Sequence, residues 1–355
     1  MPPAEPAPRR PATAPTDAPS PVPGSGSDAG STALEDGARV DVVVVGGGPA
    51  GLSAALILGR ARRSVLVVDS GEPRNAPSPS MHGYLTRDGA DPAELRAAGR
   101  REAQSYGAQI LDAEVAEVRR EGEDLVVRMT DDRSVPARRV IVATGLRDHL
   151  PAIDGVAERW GRDVLHCPYC HGYEVRDEAL GSIAEDPEGA VHQALLLRQW
   201  SDDVVLFLNS VAPDELGPPE RELLAARGVR VITGPVRAVQ VTEDHVSGVE
   251  LADGEVIPRS AVFVAPQFRV NDALLRPLGV EMEDTDLGRG VVVDDEGRTS
   301  AEGVWAVGNL ADLAAQVIGA TDSGARAAIG INGELCQEDA ERALARARAK
   351  KQPNA

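Results

Sequence analysis

The first sustained apolar pattern begins just after Arg39. Val40-Asp41-Val42-Val43-Val44-Val45 is a β-branched run with one polar interruption, the pattern of a parallel strand buried on both faces. Gly46-Gly47-Gly48-Pro49-Ala50-Gly51 follows at once, and residues 52–61 then read as a helix. A second apolar run over 64–68 ends in Asp69, so the segment opens as strand, helix, strand. Further strands are predicted at 125–129, 140–143, 204–208, 229–232, 261–264 and 303–307, separated by Ala/Leu/Arg-rich helical stretches. Strands alternating with helices predict an α/β fold with parallel sheets. From Gln337 onward a charged Ala/Arg/Glu helix is expected to fray. Residues 1–37 lack any such pattern: nine prolines fall in the first 23 positions, large apolar side chains are almost absent, and the segment is predicted to be disordered.

Composition narrows the function classes. At about 150 residues per domain, 355 residues suggest two domains. The 37 basic and 56 acidic residues leave a net charge of −19, which disfavours nucleic acid and anionic membranes as partners. The only lysines are Lys350 and Lys351, so chemistry that needs a lysine in a folded core is excluded. Three cysteines cannot make a disulfide framework, which points to a reducing compartment, and no run approaches the roughly 18 apolar residues of a membrane helix. The N-terminus has no apolar signal-peptide core, and a soluble, cytoplasmic protein is expected.

Two motifs carry chemistry. Gly46, Gly48 and Gly51 match G-x-G-x-x-G between a strand and a helix, with Asp69 placed 18 residues after Gly51. In such a turn Gly46 permits the bend, Gly48 admits a pyrophosphate to main-chain N–H groups, and Gly51 lets the helix lie close on the strand, while Asp69 is placed to accept from an adenosine ribose. The second motif is Cys167-Pro168-Tyr169-Cys170-His171. Thiols at i and i+3 can close a disulfide over one turn, and a helix N-terminus lowers thiol pKa. No second ligand pair stands at metal spacing, so a structural zinc site is not expected. His171, with an ordinary pKa near 6.5, suits the movement of thiol protons at neutral pH. His166 reads as a loop histidine and Cys336 as filler in a late helix.

With Ala143-Thr144-Gly145 and the distal Gly303-Val304-Trp305-Ala306-Val307-Gly308-Asn309, these motifs stand in an order that resembles the two-domain flavoprotein disulfide reductases, specifically the low-molecular-weight thioredoxin reductase family, over about residues 38–335. The resemblance implies a Rossmann-like FAD domain from 38–150 and 260–335, an inserted smaller domain over 151–259 carrying the CxxC, and a charged C-terminal helix or tail over 336–355. It implies FAD as cofactor, held by Gly46, Gly48, Pro49, Ala50, Gly51, Asp69, His82, Val115, Ala143, Thr144, Gly145, Gly308, Asn309, Gln316 and Val317. It implies also that Cys170 faces the flavin, that Cys167 exchanges with substrate, and that the protein forms a homodimer. Two positions depart from the family: Asn309 replaces an acidic residue, and His171 replaces the aspartate after the second cysteine.

A thioredoxin reductase also needs a second glycine-rich loop about 14 residues past the CxxC, to hold NADPH. Here that place reads Ala184-Glu185-Asp186-Pro187-Glu188-Gly189. Its three carboxylates would repel a pyrophosphate, and the strand that should end in an arginine cluster ends Leu208-Asn209-Ser210. NADPH binding is therefore in doubt. The combination resembles the dithiol oxidase branch of the family, which closes disulfides in sulfur-containing natural products such as gliotoxin and holomycin. It implies a small-molecule dithiol as substrate and dioxygen as acceptor. The alternatives are a disulfide reductase fed by NADPH or by a protein donor, and a non-enzymatic flavin redox sensor.

Overall fold

The computed structural model describes residues 38–351. The proline-rich segment 1–37, expected to be disordered, lies outside them. The chain begins with β1 (Val40–Val45), α1 (Pro49–Arg60), β2 (Val65–Asp69), α2 (Pro92–Ser105), β3 (Gln109–Asp112), β4 (Val115–Glu121), β5 (Asp124–Met129) and β6 (Ser134–Val142). β1 is flanked in parallel by β2 and β6, with Val42 opposite Val65 and Val44 opposite Ile141. Its side chains serve two cores: Val43 and Val45 pack with Leu66, Val140 and Leu310, while Val42 and Val44 pack under α1 with Ala54, Leu58 and Ile141. That double burial is why the run does not alternate.

The expected parallel pairing is present, and antiparallel strands extend the same sheet. β4, β5 and β6 form antiparallel pairs, with β4 and β5 joined through Gly122 at φ +61°. β6 also begins six residues before the predicted strand at 140–143. Its first half, Val135 and Ala137 with Pro136 between, pairs with β5, and its second half, Val140 to Val142, pairs with a later strand of the same sheet.

The chain continues through β7 (Leu146–His149), α3 (Val156–Arg159), β8 (Val164–Leu165), α4 (Pro168–His171), β9 (Leu180–Ile183), α5 (Pro187–Leu197), β10 (Val204–Phe207), α6 (Pro218–Ala226), β11 (Arg230–Ile232), β12 (Val236–Thr242), β13 (His245–Leu251), β14 (Val256–Pro258), β15 (Ala261–Val264) and β16 (Gln267–Val270). Five of these strands make a wholly parallel sheet in the order β11-β10-β9-β15-β8, and β12-β13-β14 make an antiparallel one. β7 and β16 pair antiparallel where the chain passes into and out of this region, Leu146 opposite Val270. Beside them Thr144 Oγ1 donates to the Asn271 carbonyl (2.9 Å) and Asn271 Nδ2 to the Thr144 carbonyl (2.7 Å), which ties the two crossings together.

The final elements are β17 (Met282–Thr285), β18 (Gly288–Val291), β19 (Val304–Ala306) and α7 (Val317–Lys351). β19 rejoins the first sheet beside β6. The helix expected from Gln337 is the second half of α7, a single run of 35 residues. Its apolar side, Ala327, Ala328, Ile331 and Leu335, packs in one cluster with Ala54, Ala55 and Leu58 of α1. Among the described residues no helix is long and apolar enough to cross a membrane.

Candidate functional site

β1 ends in a turn that only glycine can make. Gly46 has φ +107°, and a Cβ there would strike the Ala143 carbonyl; a Cβ on Gly51 would strike the Gly46 carbonyl. α1 can therefore start directly over the strand end, with Pro49 at its first position and Gly48 as an N-cap that supplies no side-chain cap. The first-turn N–H groups are left for whatever occupies the space in front of them, a seat suited to an anion. The buried Asp69 closes one side: its Oδ1 accepts from Gly47 N (3.0 Å) and Gly71 N (3.3 Å), and its Oδ2 from Arg100 (3.1 Å).

This turn opens on a cleft of about 1330 Å³, larger than the roughly 300–1,000 Å³ of an ordinary small-ligand site. Every site residue expected from the sequence lines it except Gly51, which is buried beneath the turn: Gly46, Gly48, Pro49, Ala50, Asp69, His82, Val115, Ala143, Thr144, Gly145, Cys167, Cys170, His171, Gly308, Asn309, Gln316 and Val317. A long cleft that starts at uncapped helix amides, runs past small residues and ends at a sulfur pair fits a dinucleotide cofactor in extended form.

The sulfur end is built on α4. Cys167 is its N-cap, Pro168 opens it, and the main-chain N–H groups of Cys170 and His171 both donate to the Cys167 carbonyl at 3.1 Å. Cys167 and Cys170 form a disulfide with their Cα atoms 5.2 Å apart. Gln316, immediately before α7, points its Nε2 at Cys170 Sγ from 3.9 Å. The His171 ring is largely buried and has no hydrogen bond among the described residues; burial lowers its pKa, partly opposed by the Glu174 carboxylate and reinforced by His82. It is therefore a neutral base at pH 7. His166 is neutral for the same reason, burial, and its Nδ1 lies 3.2 Å from the Val264 carbonyl with the ring edge-on to Phe268.

One participant, Arg74, had no signal in the sequence, and the structure adds detail to two others. Arg74, in the irregular loop after β2, grips Asp148 through two bonds (2.9 and 2.7 Å), reaches Asn309 Oδ1 (3.3 Å) and lies over the Phe268 ring. Asn309 lines the cleft, but its Nδ2 is directed at the main-chain carbonyls of Asp312, Leu313 and Ala315 (3.1, 3.4 and 2.9 Å). The residue pins its own loop, which a carboxylate could not do, since it has no proton to donate. Tyr169, between the two cysteines, is exposed and sits edge-on to Trp200.

The turn between β9 and α5 is arranged differently from the turn after β1. Asp186 is the N-cap of α5, and its Oδ1 accepts from Gly189 N at 2.7 Å. Glu188 sits in the first helical turn. Glu185 Oε1 is buried with no partner among the described residues, and burial together with the neighbouring Asp186 carboxylate raises its pKa.

The family model described as pyridine nucleotide-disulphide oxidoreductase matches residues 40–180 and 191–324. The thioredoxin reductase sirT of Leptosphaeria maculans is 34% identical over 315 residues, covering 84% of this chain and 95% of that protein. The thioredoxin reductase tcpT of Claviceps purpurea is 40% identical over a shorter 185 residues, 48% of this chain and 56% of that protein. Among solved structures, HlmI matches with 49% identity and a TM-score of 0.83 over 88% of this chain and 98% of its own. An oxidoreductase from Agrobacterium tumefaciens matches with 37% identity and a TM-score of 0.79 over 84% and 99%. A glycine turn at the head of the cleft, a disulfide at its foot and these likenesses over most of the chain lead to one conclusion: the chain belongs to the pyridine nucleotide-disulphide oxidoreductase family, as a thioredoxin reductase-like flavoprotein enzyme acting on sulfur groups.

Proposed function

We propose that this protein is an FAD-dependent dithiol oxidase that closes a disulfide in a small-molecule dithiol, with dioxygen as the final acceptor. The observation that carries the reading is the turn at Glu185-Asp186. The second nucleotide seat of a reductase would lie at the N-terminus of α5, and there a carboxylate of the chain itself already accepts from Gly189 N. A pyrophosphate would have to displace Asp186 and sit beside Glu185 and Glu188. The family match is interrupted over the same stretch, between residues 180 and 191.

On this reading residues 38–150 and 260–335 form the cofactor domain and 151–259 the inserted one. FAD would be held at its pyrophosphate by the amides behind Gly48 and at its ribose by Asp69, with Val115, the 143–145 turn, Gly308, Asn309, Gln316 and Val317 along its length. When bound, FAD accepts the two electrons of the reduced cysteine pair and delivers them to dioxygen, yielding hydrogen peroxide. The protein's own residues perform the sulfur chemistry. A substrate thiolate attacks Cys167 Sγ, the Cys167–Cys170 bond breaks, and Cys170 leaves as a thiolate beside the Gln316 amide. The substrate's second thiolate then attacks the substrate sulfur of the mixed disulfide, releasing Cys167 and the ring disulfide. His171, whose neutral form burial favours and whose ring has no hydrogen bond among the described residues, takes up a thiol proton at this stage. The sum is one dithiol and one dioxygen converted to one disulfide and one hydrogen peroxide. A cytoplasmic homodimer goes with this assignment.

Anaerobic mixing tests it. A simple dithiol should bleach the flavin within the turnover time, and NADPH should leave it yellow. Bleaching by NADPH would assign the reductase activity instead, and stoichiometric reduction by dithiol with no peroxide in air would assign a sensor. Cys167→Ser should keep the flavin and lose dithiol turnover altogether.

A further inference from the structure

The loop between β2 and α2 reaches the redox helix at one point. There the rings of His82 and His171 meet edge to face, with centroids 6.4 Å apart. His82 Nε2 lies 3.4 Å from Glu174 Oε1 and 3.1 Å from Ser80 Oγ, and its Nδ1 lies 3.4 Å from Asp88 Oδ1. Glu174 stands three residues beyond His171, on the turn that follows α4. The His82 side chain is mostly buried, whereas Asp88 is largely exposed.

We propose that His82 and Glu174 are positioning residues for His171: the loop after β2 sets a second imidazole edge-on against its ring, and Glu174, 3.4 Å from His82, brings a carboxylate to the same corner, so that the base works between an imidazole and a carboxylate. The assignment rests on the dithiol oxidase reading above. Two imidazoles at this separation in a largely buried site cannot both be charged cheaply, so a proton on His82 disfavours one on His171. Glu174 acts the other way, since a carboxylate favours imidazolium. Among the described residues the charged groups acting on His171 in the disulfide state are Glu174 and His82, joined by the Cys167 and Cys170 thiols once the pair is reduced; those beside His82 are Asp88, Glu174 and His171. Closing the substrate disulfide releases two protons at the site, and reduction of dioxygen to hydrogen peroxide takes two up again. A base whose affinity is held between two opposing neighbours can do both.

The bland reading is that His82 only staples its loop, where Gly83 N donates to Asp88 Oδ1 (2.9 Å) and Met81 bridges to Ala90. A staple would affect melting temperature and KM and leave the pH profile alone. The test is the pH dependence of kcat/KM for dithiol oxidation by the holoenzyme, together with NMR titration of the His171 ring, in His82→Gln and Glu174→Gln. We expect the acid limb and the ring titration to move up by roughly 0.5–1 pH unit in H82Q and down by a similar amount in E174Q. Limbs and titrations within 0.2 unit of the parent in both variants, or moved in the same direction, would overturn the proposal. If H82Q fails to fold, E174Q, whose side chain is 40% exposed, carries the test alone: its ring titration must fall. Wild-type protein with no dithiol oxidation at any pH would sink the oxidase reading instead, while the ring titrations would still decide the inference.

Discussion

Substituting Gly48 by alanine separates what the fold needs from what the ligand needs. Gly48 has φ −79° and ψ −176°, ordinary extended backbone, and a Cβ built on it meets nothing within 4 Å. The protein by itself has no steric reason for glycine there. Alanine is a poorer N-cap than glycine by about 0.5–1 kcal/mol. It also loses less chain entropy on folding, worth about 0.4–1 kcal/mol in the other direction. The apoprotein should thus melt within about 2 °C of wild type. The added methyl would stand in the cleft in front of the α1 amides, where a pyrophosphate has to approach. Losing one hydrogen bond to a charged group costs about 1.5–3 kcal/mol, and each 1.4 kcal/mol is about tenfold in affinity, so FAD should bind roughly 10- to 150-fold more weakly. Quenching of flavin fluorescence on titration into stripped protein measures the affinity, and circular dichroism follows the melt. Gly48→Ala protein that binds FAD within threefold of wild type would refute the account of this turn. A melt lowered by 5 °C or more would show that the glycine serves the fold after all. Gly51→Ala should fail both measurements, because its methyl collides with the Gly46 carbonyl.

Asn309→Asp replaces an amide whose two N–H groups are shared among three main-chain carbonyls by a group that donates nothing, and should lower stability by about 1–3 kcal/mol in urea unfolding; an unchanged midpoint would show that those bonds carry nothing. Glu185 has a raised pKa in the fold, so its carboxyl is favoured below the unfolded value and increasingly penalised as pH rises through and beyond it. Glu185→Gln should therefore raise the melting temperature at pH 7.5 by roughly 1–3 °C and change it little at pH 4; equal shifts at both pH values would contradict the burial argument. His171→Asn should lower kcat roughly 10²- to 10⁴-fold and abolish the acid limb of the pH profile, and a limb that persists would place the base elsewhere.

The parts of the molecule that were legible in the sequence are those whose physics is local. β1 declares itself because burial on both faces leaves no room for polar side chains, and the turn after it because Gly46 and Gly51 admit no other residue. The cysteine pair is legible because its chemistry requires its spacing. The hairpin strands were not: β4 (Val-Ala-Glu-Val-Arg-Arg-Glu) and β12 (Val-Arg-Ala-Val-Gln-Val-Thr) pair in antiparallel sheets with part of their surface in water, so their sequences look like loop. Only the charged end of α7 was predicted; its first half carries Gly319, Gly324, Gly330 and Gly333, which have low helix propensity. Gly324 is there for contact, since a Cβ on it would strike the Ala50 carbonyl. The meeting of His82 with Glu174 and His171, and of Arg74 with Asp148 and Asn309, joins segments far apart in the chain, and no periodicity encodes such a meeting.

Because α7 is unbroken, one element joins two distant places. Its near end is adjacent to Gln316 and the Cys170 sulfur; some twenty residues on, Glu334 is bonded to Arg298 and Arg139, Glu338 to Arg138 and Arg139, and Asp339 to Arg63. At 1.5 Å per residue that anchorage is about 30 Å from the sulfur. Between the two ends the helix is held on α1, where Ala320, Ala327 and Ala328 pack with Ala50, Ala54 and Ala55, so the amide that faces the sulfur stands on an element fastened along its length.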